Sequence, residues 1–505
     1  MSLFEEITIQ QVGITYKQPL GLFINNEYTA SSDGGKIQTI NPATEEYITS
    51  FYAGTEEDAD RAVVAAREAF ENHWRKTSPK ERGDLLYKLA NIVEREKVLL
   101  AALETLDSGK PYHSNSLGDI NEVIKVTRYF AGAADKFNQG NISSSNHDKY
   151  GYSLKVPYGV VAHVIPWNYP LLMACWKLQG CLAAGNCIVV KPAENTSLSL
   201  LYFAQLVKEA GFPPGVFNVV PGYGPVAGSR LALHPDVDKI GFTGSTAVGK
   251  KIMSMAGQSN LKDVTLECGG KTAAIVLDDA ILEDAIDWLT LGIFFNSGQN
   301  CTANSRIYVQ ESIFDEFLSK FKENTFKNWK FGNNYDPFDP ECTMGPLISK
   351  VQYDRVSGYL SHGKETEKLE AIELGVVKNG IGFFVPPTIF INVPQDSKLC
   401  KEEIFGPVAV ISTFKNYDEA VALANDSDYG LASCIFTENV RKANQFVRDA
   451  RSGTVYVNCS NEDDISLPFG GFKMSGIGRE LGYAGMESYL QLKSVHMNIG
   501  NPSFL

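Results

Sequence analysis

Cys301 is the residue of this 505-residue sequence best placed to act as a nucleophile. It ends the run Gly298-Gln299-Asn300-Cys301, which follows an apolar segment, 289–295, predicted to be helical. A thiol among small residues and free backbone N–H groups is open to substrate, and such N–H groups lower the pKa of a thiol. A buried structural thiol is the alternative, and it applies to most of the other eight cysteines.

Glu267 is the candidate general base. It ends a predicted strand, 263–267, directly before Cys268-Gly269-Gly270. A carboxylate where a strand runs out into a flexible turn can activate a water molecule. Taken alone, the position fits an ordinary solvated glutamate equally well.

A glycine-rich junction between a predicted strand and a predicted helix is the candidate phosphate site. It runs from Gly241 through Gly244 and Ser245 to Gly249. Small residues at such a junction let a pyrophosphate reach the N-terminus of the helix. The run lacks the G-x-G-x-x-G spacing of dinucleotide sites. A second glycine pair, Gly222 and Gly224, is equally explained by a plain turn.

The elements that must position these residues form two α/β patterns. From 159 to 277, β-branched runs alternate with helical ones, which predicts a mostly parallel, doubly wound sheet with a ligand site at the strand ends. A second α/β pattern covers 279–450. Two amphipathic surface helices are expected over 56–106, and a hairpin leaving the main body over 138–156. The alternating run that starts at Tyr489 has the pattern of a strand that adds to a sheet edge on another subunit.

Composition and charge exclude several classes of function. The net charge of −13 and the pI of about 5.2 have the wrong sign for binding nucleic acid or anionic membranes. Nine cysteines without a C-x-x-C, and no pair of histidines at helical spacing, predict neither a disulfide framework nor a metal site. No basic leader and no clean apolar span of about 20 residues are visible. We therefore expect a soluble, cytoplasmic protein without nucleic-acid or membrane partners.

Seven motifs together resemble the NAD(P)-dependent aldehyde dehydrogenases, and the chain is most similar to the fungal cytosolic-type members. The resemblance runs in family order over nearly the whole chain and implies an aldehyde dehydrogenase-like α/β fold, with two doubly wound α/β domains and a β oligomerisation arm. The motifs are Pro166-Trp167-Asn168-Tyr169-Pro170, Lys191-Pro192-Ala193-Glu194, Gly241-Phe242-Thr243-Gly244-Ser245, Leu266-Glu267-Cys268-Gly269-Gly270-Lys271, Gly298-Gln299-Asn300-Cys301, Glu402-Glu403-Ile404-Phe405-Gly406-Pro407 and Pro468-Phe469-Gly470-Gly471.

The resemblance also implies a division of the chain into three parts. Residues 1–137 and 158–269 are expected to form a dinucleotide-binding domain, and residues 270–474 a catalytic domain. Residues 138–157 and 475–505 are expected to form oligomerisation segments of a homodimer or homotetramer.

The catalytic residues implied by the resemblance are Cys301, Glu267 and Asn168. Cys301 attacks the aldehyde carbon, the Asn168 amide and the Cys301 N–H hold the oxyanion, and Glu267 activates the water that hydrolyses the thioester. The product is then a free acid. Lys177 and Glu480 resemble the family's more distant proton-handling pair, although an ordinary structural ion pair is as good an interpretation.

The resemblance also assigns the binding residues. NAD is the expected cofactor and is preferred over NADP, because Glu194 can accept hydrogen bonds from a ribose 2′-hydroxyl and would repel a 2′-phosphate. The aldehyde tunnel is expected to be lined by Tyr169, Met173, Trp176, Thr302 and Phe469, although aromatic residues at such spacing are also common in plain cores. The cofactor residues expected are Ile165, Pro166, Trp167, Lys191, Glu194, Gly224, Gly244, Ser245, Glu403 and Phe405.

Three consecutive acids, Glu462, Asp463 and Asp464, stand where the family has the border of the tunnel mouth. They predict a preference for amino aldehydes, with Asp463 near the ammonium group. A solvated run of loop charges is the plainer interpretation. Two alternatives to a dehydrogenase are a cysteine-dependent esterase and a catalytically silent NAD-binding protein. The first would need a histidine partner, and none of the seven histidines lies in a motif. The second is disfavoured by the intact Cys301, Glu267 and Asn168.

Overall fold

Two largely parallel sheets with packed helices, and a small antiparallel arm, make up the fold. The structure is a computed structural model that describes residues 2–136, 140–332, 334–377 and 380–500. The predicted α/β class is confirmed. Residues 138–139 and 501–505 of the expected oligomerisation segments lie outside the described residues.

The N-terminal part supplies short strands and then four helices. The second predicted amphipathic segment proves to be two helices, so three rather than two cover the region 56–106. Helix α3 follows α2 after the single residue Glu96 and is buried over most of its length, including Glu104 and Asp107, so neither a loop signal nor an exposed polar face marks it as a separate helix. The elements are β1 (Phe4–Ile9), β2 (Ile14–Pro19), β3 (Leu22–Ile24), β4 (Glu27–Thr29), β5 (Lys36–Ile40), β6 (Tyr47–Tyr52), α1 (Glu56–Asn72), α2 (Pro79–Arg95), α3 (Lys97–Ser108) and α4 (Leu117–Ala133).

The next stretch builds the arm and most of the first sheet. Its elements are β7 (Ile142–Asn146), β8 (Lys149–Pro157), β9 (Val160–Val164), α5 (Pro170–Ala184), β10 (Cys187–Lys191), α6 (Leu198–Ala210), β11 (Phe217–Val219), α7 (Ser229–Leu233), β12 (Lys239–Gly244), α8 (Thr246–Gln258) and β13 (Asp263–Cys268).

The remaining stretch builds the second sheet and returns to the first sheet and the arm. Its elements are β14 (Ala273–Val276), α9 (Leu282–Phe294), β15 (Arg306–Gln310), α10 (Phe314–Asn328), α11 (Lys350–Ser361), β16 (Ala371–Glu373), β17 (Thr388–Ile391), α12 (Lys398–Lys401), β18 (Val408–Phe414), α13 (Tyr417–Asn425), β19 (Tyr429–Gly430), β20 (Ala432–Phe436), α14 (Val440–Asp449), β21 (Thr454–Val457), β22 (Phe472–Lys473), β23 (Gly476–Ile477), α15 (Gly482–Glu487) and β24 (Leu490–Asn498).

The first sheet has the strand order β23-β13-β12-β9-β10-β11-β3-β4, with its five central strands parallel. The chain order reverses at β9, because β10 adds on one side of it and β12 on the other. In such sheets a ligand binds at the carboxyl ends of the strands beside this reversal. The segments that follow β9, β12 and β13 therefore meet where a cofactor is expected.

The second sheet has the order β16-β17-β18-β15-β14-β20-β21, with all strands but β16 parallel. It has its own apolar clusters, made of residues between 273 and 456, while the first sheet and helices α1 to α6 share another. The separate cores support the expected dinucleotide-binding and catalytic domains, a division that stays a proposal. Strand β23 adds to the first sheet although it lies in the expected oligomerisation segment.

The arm is a three-stranded antiparallel sheet with the order β24-β8-β7. The hairpin of β7 and β8 is the one expected from the sequence. From its sequence, strand β24 was expected to be able to add to a sheet edge on another subunit. In the structure it pairs over nine residues with β8 of its own chain. Its second edge has no strand neighbour among the described residues.

Candidate active site

Two cavities meet at Cys301. The larger, of about 310 Å³, lies between α4, α5 and the segment after β21; the smaller, of about 160 Å³, lies at the carboxyl ends of β9, β12 and β13. Cys301 and Met173 line both cavities. A reactive thiol at such a junction can reach a molecule on either side.

The turn before Cys301 has an unusual backbone. Helix α9 ends at Phe294, and Asn296, Ser297 and Gly298 then have φ values of 50°, 57° and 69°. At Gly298 a Cβ atom would lie 2.1 Å from the Gly406 carbonyl oxygen, so only glycine fits. The buried Asn296 side chain donates to the carbonyl of Asn168 at 3.0 Å. These contacts fix the turn and hence the position of Cys301.

Asn168 lies next to this turn. Its amide nitrogen donates to the Gln299 carbonyl at 3.1 Å, two residues before Cys301. An amide has two N–H donors, so this bond orients the group and leaves the second donor for an oxyanion. The arrangement has the donor type that stabilises a tetrahedral intermediate.

The thiol of Cys301 has a pKa well above its ordinary value. Burial is the main cause, and the carboxylates of Glu267 and Glu403 add to it because they disfavour a second negative charge nearby. The sequence interpretation, that free N–H groups lower this pKa, is wrong for the protein without cofactor. The thiol is therefore neutral at pH 7 and needs a proton acceptor.

Glu267 is a fully buried carboxyl beside that thiol. Burial raises its pKa to about 7; the charge of Lys177 opposes the shift and that of Glu480 adds to it. Neither carboxylate oxygen has a hydrogen-bond partner within normal geometry. A carboxyl that is half ionised near pH 7 and free to bind water suits a general base.

Lys177 and Glu480 form a buried ion pair behind Glu267. Lys177 comes from α5, and Glu480 lies just before α15. They line neither cavity, and the second carboxylate oxygen of Glu480 has no partner. Their charges reach Glu267, so the pair can influence its proton affinity without touching substrate.

The smaller cavity contains six of the ten expected cofactor residues. Glu403 lies beside Gly270, whose N–H donates to its carboxylate at 2.8 Å. The rings of Trp167 and Phe405 meet edge to face with centroids 5.3 Å apart. Ser245 caps the N-terminus of α8. The six are Pro166, Trp167, Gly244, Ser245, Glu403 and Phe405.

The other four expected cofactor residues lie beyond this cavity. Glu194 accepts the Gly224 N–H at 2.6 Å and lies 3.4 Å from the Lys191 ammonium group. Ile165 is buried, and its N–H donates to the Lys191 carbonyl at 3.0 Å. These four residues lie along one edge that runs from the carboxyl end of β10 towards α7.

These residues fit a dinucleotide. The N-terminus of α8 with Ser245 is an anion site of the kind that binds a pyrophosphate. At Gly269 a Cβ atom would lie 2.1 Å from a Glu403 carboxylate oxygen, so the glycine is what allows this carboxylate to approach. Glu194 and Glu403 are carboxylates suited to ribose hydroxyls.

The larger cavity contains all six expected substrate residues: Tyr169, Met173, Trp176, Thr302, Asp463 and Phe469. Trp176 and Phe469 are packed edge to face at 5.1 Å. The sequence interpretation missed the wall formed by the start of α4, which carries Asp119 and Glu122. Gln352 and Arg355 of α11, which line the cofactor cavity, were missed as well. No motif contains either pair, so no sequence signal pointed to them.

Two of the three consecutive acids border the larger cavity. Glu462 and Asp463 line it, whereas Asp464 does not and accepts hydrogen bonds from Ser466. The Asp463 carboxylate accepts the Tyr456 hydroxyl at 2.7 Å. Asp463 is exposed in the cavity, but protein surrounds its carboxyl closely, and this loss of solvation raises its pKa to about 6.

In the part of the chain that the structure describes, the other cysteines form no second site of this kind. Seven of the nine cysteines are buried, and only Cys301 and Cys459 are partly exposed. Among the described residues no cluster of histidine, cysteine and carboxylate groups could hold a metal ion, and no helix is long and apolar enough to cross a membrane.

The chain is similar to known aldehyde dehydrogenases along its whole length. Residues 28–495 match the aldehyde dehydrogenase family. The aldehyde dehydrogenases NAD(P)+ 1 and NAD(P)+ 2 of Saccharomyces cerevisiae are 60% and 58% identical over 500 residues, 99% of each chain. The NAD+ complex of an aldehyde dehydrogenase from Bacillus cereus superposes with a TM-score of 0.91 at 43% identity, over 95% of this chain and 97% of that one.

Proposed function

This chain belongs to the aldehyde dehydrogenase family, and we propose that it oxidises an aldehyde to the free acid through a thioester on Cys301. It is an NAD(P)-dependent aldehyde dehydrogenase. The observation that carries the proposed route is the position of Cys301 at the junction of two cavities, with Glu267 beside it.

The first step generates and uses the nucleophile. The Cys301 thiol passes its proton to a base, for which Glu267 with a pKa of about 7 is suited, and the sulfur attacks the aldehyde carbon. The oxyanion that forms is held by the Asn168 amide and the Cys301 N–H. Each such donor contributes about 3 kcal/mol to transition-state stability.

The cofactor, when bound, supplies the hydride acceptor. Trp167, Ser245, Glu403 and Phe405 would hold it in the smaller cavity, while Lys191 and Glu194 with Ile165 and Gly224 would hold the far ribose. Glu194 is kept in place by the Gly224 N–H, so its charge would repel a 2′-phosphate. We propose NAD as the preferred cofactor for this reason.

The last step releases the acid. After the proton from Cys301 has left Glu267 for solvent, the ionised Glu267 takes a proton from water, whose oxygen attacks the thioester carbon; the C–S bond then breaks and Cys301 leaves as thiolate. Neither carboxylate oxygen of Glu267 has a hydrogen-bond partner within normal geometry, so a water molecule can bind there. Lys177 and Glu480 would adjust its proton affinity from behind.

We propose further that amino aldehydes are favoured over neutral ones. Glu462 and Asp463 line the larger cavity. Of the two other acids there, Asp119 is paired with Lys110 at 2.6 Å and Glu122 with Lys125 at 2.5 Å. Glu462 and Asp463 thus remain for a substrate ammonium group.

The homo-oligomer expected from the sequence is also a proposal. Strand β24 exposes an unpaired edge among the described residues, and one face of the arm carries the exposed side chains of Ile142 and Leu154. Apolar groups on a protruding sheet are typical of a subunit interface. A cytoplasmic location stays a prediction from the sequence.

A panel of aldehydes with NAD and with NADP tests the activity, with reduced cofactor followed by absorbance. We expect reduction of NAD with a higher kcat/KM than NADP. The Glu267→Gln variant lacks the base that activates water, so we expect the acyl group to stay on Cys301. Mass spectrometry of the intact chain would detect it. An active enzyme that never acylates Cys301 would contradict the proposed route.

A further inference from the structure

A row of polar side chains runs along one face of the first sheet, from Glu267 to the protein surface. Side chains alternate between the two faces of a strand, so Glu267, Thr265 and Asp263 of β13 point the same way. Glu267 lies at the active site, whereas the Asp263 side chain is 45% exposed. The two ends of β13 therefore join the catalytic centre to solvent.

His163 of β9 extends this row across a gap left by a glycine. In the parallel register Gly241 of β12 lies between His163 and Thr265. A Cβ atom on Gly241 would lie 2.6 Å from the Nδ1 atom of His163. The imidazole ring therefore lies over Gly241 and reaches towards Thr265.

Lys239 completes the row towards the surface. Its ammonium group donates to the Thr265 hydroxyl at 2.7 Å and forms an ion pair with Asp263. Lys239 itself is almost fully buried. It thus connects the buried part of the row to the exposed carboxylate.

Polar groups from other elements pack over this row. The Lys177 and Glu480 ion pair lies above, and the charge of Lys177 acts on both Glu267 and His163. The Tyr489 ring meets the His163 ring at 5.7 Å. With Lys239 from β12, these are the charged and titratable groups that face His163.

Several atoms of this row and of the ion pair above it have no hydrogen-bond partner within normal geometry among the described residues. They are both ring nitrogens of His163, both carboxylate oxygens of Glu267 and one oxygen of Glu480. A buried polar group without a hydrogen bond destabilises the folded state, so apolar side chains here would serve the fold better. Such groups normally bind ordered water, which would connect them into a chain.

We propose that this row carries the proton taken up by Glu267 to solvent beside Asp263, with His163 and Lys239 as intermediate carriers. The inference rests on the proposed role of Glu267 as base. The proton released by the hydrolytic water moves from the Glu267 carboxyl, through water bound between the two strands, to one His163 nitrogen while the other nitrogen gives up its proton. Lys239 accepts that proton as it passes its own to Asp263, from which bulk water takes it. No bond other than those to protons changes.

The test uses the full-length enzyme with an aldehyde and NAD in excess. We expect His163→Leu and Lys239→Met to produce the first equivalent of reduced cofactor at the wild-type rate and then to turn over about tenfold more slowly. This is less than the roughly 10²-fold or more of a general base that contacts the reacting atoms, because neither residue touches substrate. The slow phase should show a larger solvent isotope effect in D₂O than the wild-type rate. His163→Leu should keep or raise the Tm, because it removes two unpartnered nitrogens.

Lys262→Met is the matched control. Lys262 is also a buried lysine, its pKa is lowered to about 8 by burial, and its ammonium group bonds to the Ala232 carbonyl outside the row. We expect full turnover from this variant. Wild-type turnover and isotope effect in both row variants, or a lower Tm with unchanged rate per folded molecule, would overturn the inference. An inactive wild-type enzyme would instead contradict the proposed function.

Discussion

At the scale of single residues, burial gives the two reacting groups raised pKa values. Cys301 is protonated at pH 7, and Glu267 is close to half ionised. Neither is strongly charged before substrate and cofactor bind, which avoids two adjacent anions in a buried site. The nucleophile is therefore formed by a proton transfer within the site and not by a standing thiolate.

Replacing Cys301 by serine should abolish dehydrogenase turnover, by at least about 10³-fold, because a hydroxyl is a far weaker nucleophile than a thiolate. Binding of NAD, measured by calorimetry, should be retained. Cys459→Ser, at the other partly exposed thiol, is the control and should be fully active. Turnover in the Cys301 variant within tenfold of wild type would remove this thiol from the mechanism.

Replacing Glu267 by glutamine should slow hydrolysis of the thioester more than its formation. Rapid-mixing absorbance should then show a burst of reduced cofactor followed by slow turnover. An unchanged steady-state rate would refute the role of Glu267 as base.

The pH dependence follows from the same carboxyl. Its pKa is raised to about 7, and only the ionised form accepts a proton, so hydrolysis should accelerate as the pH rises through about 7 and fade below it. Single-turnover decay of the acyl enzyme at a series of pH values measures this. A hydrolysis rate that is flat from pH 5.5 to 8.5 would assign the base to another group.

At the scale of elements, some segments that form the site lie in sequence motifs and others lie outside any motif. The loops after β9, β12 and β13 and the segment before Cys301 were predictable, because their motifs carry residues whose types the chemistry requires. Asn296 and Ser297 in left-handed conformation were not, since only Gly298 signals such a turn in sequence. Helix α4 was missed because it carries no motif, yet it forms a wall of the larger cavity.

The acidic border of that cavity should select for charge. We expect kcat/KM for 3-aminopropanal relative to propanal to fall in Asp463→Asn and in Glu462→Gln, by a few-fold for a solvated pair worth about 0.2–1 kcal/mol. Because the pKa of Asp463 is raised to about 6, the wild-type ratio should also fall as the pH drops below 6. Asp464→Asn is the control, since Asp464 does not line the cavity. An equal ratio in all variants would leave only the general aldehyde activity.

At the scale of the whole molecule, the two largely parallel sheets followed from alternating strand and helix patterns, but the pairing of β24 did not. Its sequence alternates like that of an edge strand but does not indicate which strand it pairs with. In the structure it pairs with β8. The arm so formed presents the exposed apolar side chains of Ile142 and Leu154, which no other described part of the chain covers.

Placing a charge on that face should weaken assembly. Ile142 is 83% exposed on the arm, and Ile142→Asp with Leu154→Asp should lower the mass measured by light scattering towards that of one chain. Val351→Asp is the control, because Val351 is 81% exposed on α11, away from the arm. A monomeric wild type, or an unchanged mass in the double variant, would rule out this face as the interface.

Because seven of the nine cysteines are buried, chemical labelling can count the enzyme molecules that have a reactive Cys301. An alkylating reagent added to the folded protein can reach only Cys301 and Cys459 readily, so a Cys459→Ser preparation would incorporate one label per competent molecule. The stoichiometry of labelling, read as a mass shift of the intact chain, would give the fraction of molecules able to react. Rates could then be expressed per working site instead of per milligram, and a variant with few active molecules could be told apart from one with slow chemistry.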